Sequence, residues 1–251
     1  LDPKKSVIFV QSRVKEHAEL YLLFSMITPL GWLERVPTYK EALEEYQGRE
    51  ISTHGFLGYP LLQAADILVY RAHAVPVGQD QVPHLEFARE LVRRFHHLYA
   101  EVFPEPQALL TQTPYVRGTD GRKMSKRYGN AILLSDTEED TRQKVMQMLT
   151  DPARKRRSDP GNPDICPVFD LQKIFGTREW VERVDRECRT AEIGCVEDKK
   201  ALADFLIESL RPFRAARKEI AANPEMVRNI LAEGAERARA AARATMEQVR
   251  K

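Results

Sequence analysis

Short β-branched runs alternate with longer amphipathic stretches through the first 150 residues and then stop, and that change of rhythm restricts the fold more than any other feature of the chain. Ser6–Gln11 (Ser-Val-Ile-Phe-Val-Gln) reads as a short buried parallel strand. Val14–Ile27 follows as a helix ended by Pro29–Gly31, and Tyr39–Tyr46 as a second, more polar helix. His54–Tyr70 is a helix entered through Pro60 with a strongly apolar body. Val75–Val77 is a strand ending at Gly78, and Asp80 then stands at the N-cap of a helix running to Tyr99. Within it Leu85, Ala88, Leu91, Val92 and Phe95 recur at the three-four spacing of a buried face. Leu109–Val116 leads into a basic loop, Ile132–Leu134 is a further short strand, and Ser135 with Glu138 forms a capping box for a helix to Leu149. Strands alternating with helices predict an α/β fold with a doubly wound, mostly parallel, Rossmann-like sheet. The chain starts at Leu1, not at a methionine, and enters a strand almost at once, so that sheet is expected to be incomplete on its N-terminal side.

From Asp151 onward no strand is predicted. Asp151–Pro163 is a Pro-rich basic connector, and helices fill the remainder; the last begins near Pro224 and offers Val227, Ile230, Leu231, Ala238, Ala242 and Val249 for burial. Two domains are therefore expected, residues 1–150 and residues 151–251, and 251 residues suffice for one large unit and a smaller one. A net charge of only +2 means that any contact with nucleic acid must come from local patches. No apolar run is long enough to span a membrane, and no signal peptide is expected. With three cysteines and no secretory feature, the expectation is a reducing, cytoplasmic setting without a membrane partner.

The residues able to do chemistry fall in three stretches. Gly118–Asn130 places Arg122, Lys123, Lys126 and Arg127 on a loop punctuated by Gly118, Gly121 and Gly129. Four cations there repel one another unless an anion sits among them, so the loop is either a solvated basic turn or an anion site. Asp66 shares a helix face with Leu62, Val69 and Tyr70, which sets its carboxylate in apolar company; it is either paired with a neighbouring loop or held for a ligand. Val75–Gln81 is a strand-end turn running into a helix, the place where open α/β sheets bind ligands. Gly78 permits close backbone approach, and Asp80 can accept from ribose hydroxyls as well as cap the helix. The six histidines show no metal-ligand spacing, and His96 and His97 read as solvated helix residues.

Taken together, three ordered motifs resemble the bacterial tryptophanyl-tRNA synthetases, a family of class I aminoacyl-tRNA synthetases. They are Tyr59-Pro60 with Gln63-Ala64-Ala65-Asp66-Ile67, Val75-Pro76-Val77-Gly78 with Asp80-Gln81, and Lys123-Met124-Ser125-Lys126. The likeness extends to Asp159–Pro163 and to the Arg-rich final helices. The resemblance implies an amino-acid pocket formed by Tyr59, Gln63, Asp66, Val75, Val77 and Gln81, with Asp66 receiving the indole N–H. It implies that Gly78, Gln79, Asp80, Val116, Lys123, Met124, Ser125, Lys126 and Arg127 bind ATP, that Lys123 and Lys126 are the catalytic cations, and that Mg²⁺ bridges the phosphates. It further implies tryptophan, ATP and tRNA(Trp) as partners, a homodimer, and a helical end that reads the anticodon. The family's His-containing ATP signature is not found in the chain, so the chain as given is expected to be inactive alone. Arg127 stands where the family usually has serine.

Some members of that family carry an Fe–S cluster on four cysteines. Here Cys166, Cys188 and Cys195 correspond, but Asp198 occupies the fourth position, and aspartate is a hard, uncommon ligand for such a cluster. The expectation is no stoichiometric iron and no metal site. Two other readings remain open. Tyrosyl-tRNA synthetases share the Tyr-Pro and Gln-Ala-x-Asp pattern and the lysine loop, and a non-catalytic RNA-binding or interaction module would also account for the basic patches.

Overall fold

The structure is a computed structural model and describes residues 5–37, 39, 40, 53–110 and 116–251. It divides into two compact units, Leu1–Pro114 with Pro224–Lys251, and Tyr115–Asn223. Packing thus cuts the chain elsewhere than at residue 150, and the final helix belongs with the first unit.

The first unit is built on α1 (Glu16–Ser25), α2 (Leu30–Glu34), α3 (His54–Leu68), β1 (Ala74–Val77), α4 (Val82–Leu98), β2 (Gln107–Leu110) and α9 (Pro224–Val249). Thr53 opens α3 by accepting from the Phe56 N–H. Pro60 lies inside that helix and not at its entry, and it is buried there; it has no N–H to offer the preceding turn. The three-four pattern of α4 is buried as expected, at Leu85, Ala88, Leu91, Val92 and Phe95. The helix starts one residue later than expected, after a 3₁₀ turn over Gln79–Gln81, so its N-cap is Gln81 and not Asp80. His96 is no idle surface residue: its Nε2 accepts from the Val102 and Phe103 N–H groups and holds the chain as it leaves the helix.

Strands β1 and β2 pair in parallel, Ala74 opposite Gln107 and Val77 opposite Leu110, with α4 as the crossover. The run Ser6–Gln11, expected as a third strand, is extended over its first residues without strand pairing and turns into a 3₁₀ helix at Gln11–Arg13. The reason is its neighbour. The Ile8 carbonyl lies so close to Gly234 of α9 that a Cβ there would sit 1.9 Å from it. The backbone is laid on a helix instead of a sheet edge, leaving the Ile8 side chain 51% exposed. The expected helix Tyr39–Tyr46 lies outside the described residues beyond residue 40. In α9 burial falls on Gly234, Ala235, Ala238, Ala242, Thr245 and Met246, whereas Ile230 is exposed and Val227, Leu231 and Val249 are half-buried.

The second unit holds the basic loop, α5 (Glu138–Gln147), α6 (Pro167–Phe175), α7 (Arg178–Arg189) and α8 (Cys195–Ala221). Its core gathers Val145, Met148, Val168, Phe169, Leu171, Val184, Ile193, Leu202 and Leu206. Ile132–Leu134 is no strand; the Leu133 N–H donates to Asp136 Oδ2 at 2.7 Å and the segment turns there. The capping box for α5 is formed by Thr137 and Asp140, two residues beyond the expected pair, since Asp136 is engaged in that turn. The connector is ordered by Asp151, a buried carboxylate accepting from the Ala153 and Asn162 N–H groups at 2.8 Å each. Among the described residues no helix is long and apolar enough to cross a membrane.

Candidate active site

On α3, Tyr59, Gln63 and Asp66 recur at helical spacing and share a face, and Tyr70 follows in the turn just past the helix end. Asp66 does not sit in apolar company. Its Oδ1 lies 2.6 Å from His17 Nδ1, and both its oxygens accept from Gln11 Nε2 at 2.7 Å. His17 Nε2 in turn lies 2.8 Å from the Tyr70 hydroxyl. The carboxylate favours a proton on Nδ1, which leaves Nε2 to accept from Tyr70. Burial, with Asp66 and Glu16 adding negative charge nearby, pushes the Tyr70 phenol up to about 12, so it remains a donor. The carboxylate is paired and still 36% exposed, and two oxygens can accept more bonds than Gln11 and His17 supply.

His17 was not singled out in the sequence, although it shares the three-four spacing of Leu20 and Phe24 on the buried face of α1. Its pairing with Asp66 spans 49 residues, and no local pattern shows that.

The turn after β1 meets the same helix. Gln63 Nε2 donates to Gln81 Oε1 at 3.2 Å, and Gln81 Nε2 donates to Asp80 Oδ2 at 2.8 Å. One chain of contacts therefore links residues expected to hold the amino acid with one expected to hold ATP. The Tyr59 ring packs against His84, centroids 5.6 Å apart, and burial lowers the pKa of that imidazole against a smaller opposing effect of Asp80. Val75 and Val77 occupy one side of β1, both half-buried. Gly78 has φ −75°, an ordinary extended conformation and not a left-handed turn.

In the second unit the basic loop has a defined internal structure. Gly121 and Gly129 take positive φ, 79° and 65°, which favours glycine at both turns. Asn130 is buried and organises the rest: its Oδ1 accepts from the Ser125 N–H, and its Nδ2 donates to Asp120 Oδ1 and the Lys123 carbonyl. Asp120 is the anion among the cations. The bond from Asn130, followed by those from Arg122, holds its carboxyl below the usual range. Arg122 pairs with Asp120 at 2.7 Å and stacks over Tyr128, 4.6 Å from the ring centroid. Val116 accepts from the Met124 N–H at 2.9 Å, and Ser125 caps the 3₁₀ turn Lys126–Tyr128. The Lys126 side chain has no hydrogen-bond or ion-pair partner among the described residues, and Lys126 lines a cavity of about 480 Å³ with Met124, Ser125 and, from α8, Arg217. Next to the loop, Arg117 bonds the Asp170 carboxylate and the Ile165 and Asp164 carbonyls, tying the loop to α6.

The three cysteines are free. Arg154 Nη1 reaches Cys188 Sγ at 3.8 Å and Cys195 Sγ at 3.7 Å, while Nη2 donates to the Arg157 and Ile193 carbonyls. Asp198 is buried and accepts a short bond from the Gln172 amide. A guanidinium against two of the sulfurs and a fourth donor already engaged do not fit an Fe–S cluster, and among the described residues no group of three His, Cys, Asp or Glu could hold a metal.

Residues 1–211 match the family model described as tRNA synthetases class I (W and Y). The chain is 54% identical to a tryptophan–tRNA ligase of Thermotoga maritima, over 100% of this chain and 77% of that one. It is 43% identical to a tryptophan–tRNA ligase of Aquifex aeolicus, over 100% and 81%. A solved tryptophanyl-tRNA synthetase of Campylobacter jejuni, complexed with ADP and tryptophan, superposes with a TM-score of 0.82 at 32% identity, covering 99% of this chain and 77% of that one. These similarities support the expected Rossmann-like α/β class with helices following it, of which the described residues retain a small parallel sheet. The chain belongs to the class I tRNA synthetases of the tryptophan and tyrosine type.

Proposed function

We propose that this protein activates L-tryptophan with ATP to tryptophanyl-adenylate and transfers it to tRNA(Trp). The observation that carries the reading is the link from α3 through Gln63 and Gln81 to Asp80, beside the partly exposed carboxylate of Asp66. Tyr59, Gln63, Val75, Val77 and Gln81 would enclose the amino acid, and Asp66, held by Gln11 and His17, would accept the indole N–H. Gly78, Gln79 and Asp80 would take the adenosine part of ATP. The substrate carboxylate then attacks the α-phosphate and pyrophosphate leaves; alignment and charge neutralisation supply most of what this step needs. Lys123 and Lys126 supply positive charge to the phosphates, with Val116, Met124, Ser125 and Arg127 shaping the loop that carries them. Mg²⁺, general to aminoacyl-tRNA synthetases, would arrive on the phosphates, since Mg²⁺ is commonly held by substrate phosphates plus water. Residues 1–150 would carry catalysis and residues 151–251 the tRNA contacts, in a cytoplasmic homodimer without bound iron.

The test is ATP–pyrophosphate exchange by the full-length protein with tryptophan and with tyrosine. Exchange is expected with tryptophan alone and is expected to be lost in Asp66→Ala, because a site built to bind an N–H discriminates strongly through that bond. Exchange driven by tyrosine would move the protein to the tyrosyl branch, and unchanged exchange in Asp66→Ala would remove that residue from the pocket.

A further inference from the structure

A cavity of about 540 Å³ opens at the start of α8, away from the loop described above, and Cys195 lies in its wall. Arg154, Lys155, Arg156, Arg157 and Lys200 line it, against a single acid, Glu197. The guanidinium of Arg154 is held by backbone carbonyls, whereas the side chains of Lys155, Arg156 and Lys200 have no hydrogen-bond or ion-pair partner among the described residues. Cys195 is half-buried and is the first residue of a 27-residue helix whose N-cap, Gly194, offers no side chain to the exposed N–H groups. The helix start and the adjacent guanidinium both set positive potential around that sulfur. The same Arg154 nitrogen touches Cys188, which is also half-buried.

We infer that Cys195 is a thiol-modification site for small anionic disulfides, with Cys188 as the thiol that resolves the adduct. Cationic walls concentrate an anionic reagent at the sulfur. Cys195 gives up its proton and attacks one sulfur of the reagent; the reagent's S–S bond breaks, and one half leaves as a thiol with that proton, leaving a mixed disulfide. Cys188 then attacks the Cys195 sulfur, and the second half leaves as a thiol with the Cys188 proton. The two cysteines are oxidised to a disulfide, and the reagent is reduced to two thiols. Cys166, the buried one of the three, serves as an internal control that does not react.

The full chain is treated with oxidised glutathione, which is anionic, or with cystamine, which is cationic, and the site is read by acid quench, alkylation and peptide mass spectrometry. After correction for each reagent's rate with free cysteine, glutathione disulfide is expected to modify Cys195 first and about tenfold faster than cystamine. Lys155→Glu with Arg156→Glu is expected to remove or invert that preference. Cys188→Ser is expected to stop at the mixed disulfide, which the parent chain converts to a Cys188–Cys195 disulfide. Equal or faster reaction with cystamine, or first modification at Cys166 or Cys188, overturns the anionic site. A mixed disulfide that persists in the parent chain overturns the resolving role.

Discussion

Asp198 shows how one residue can carry a cost that its neighbours only partly offset. Burial raises its carboxyl to about 6, while the Gln172 amide bond and the charge of Arg154 act the other way. The folded state therefore holds this proton at pH values where the unfolded chain has lost it. Stability from this group is fully present below the unfolded pKa near 4 and is lost as pH rises through about 6. Asp198→Asn removes the charge, and its amide can donate to Gln172 Oε1, a buried acceptor without a partner. The variant is expected to be more stable than the parent by on the order of 2–3 kcal/mol at pH 8, with the gain fading towards pH 4. Paired urea melts at the two pH values check this; a gain equal at both would assign the effect to packing and not to charge.

At the scale of elements, the lysine loop was legible as a cationic turn, but its construction was not. Spacing alone places Lys123 and Lys126 on a glycine-punctuated segment; it does not show that Asn130 folds back to hold Ser125, Lys123 and Asp120, because those bonds run from one side chain to two backbone groups and a carboxylate inside an irregular loop. The position of the α5 cap is hidden for a related reason. Ser135 and Thr137 both precede acidic residues at capping distance, and only the turn made by Asp136 selects Thr137. Amphipathic helices such as α4 were read correctly because burial on one face is written at every third or fourth residue. The loop yields a kinetic expectation. Lys126→Ala removes a cation that has no internal partner, and Asn130→Ala lets the loop lose its shape, so both should lower the rate of adenylate formation far more than they weaken tryptophan binding. Single-turnover rates and tryptophan affinity, measured on the same samples, separate the effects; parallel losses would make the loop a binding element only.

For the whole molecule, what the sequence hid was long-range economy in the use of charge. Ten basic and five acidic residues from Arg211 to Lys251 read as a cationic end. Several of those cations are already engaged within their own unit. Arg239 bonds the Arg13 carbonyl, Arg243 pairs with Glu16 and Arg250 with Glu19, across more than two hundred residues of chain, and Arg214 bonds the Asp136 carbonyl and Thr141. In the connector Arg154 is likewise taken up by carbonyls and sulfurs, which leaves Lys155 and Arg156 as the cations without such partners. If the helical end meets tRNA, these are the side chains that would displace counterions from it. Lys155→Glu with Arg156→Glu is therefore expected to weaken tRNA binding and to reduce the slope of log affinity against log salt by about 1–2, as loss of two phosphate contacts requires. Arg243→Glu should instead cost stability and leave the slope in place, since that arginine serves the packing of α9 on α1. Filter-binding titrations across a salt series distinguish the two variants, and a slope unchanged by Lys155→Glu with Arg156→Glu would return those residues to an ordinary solvated turn.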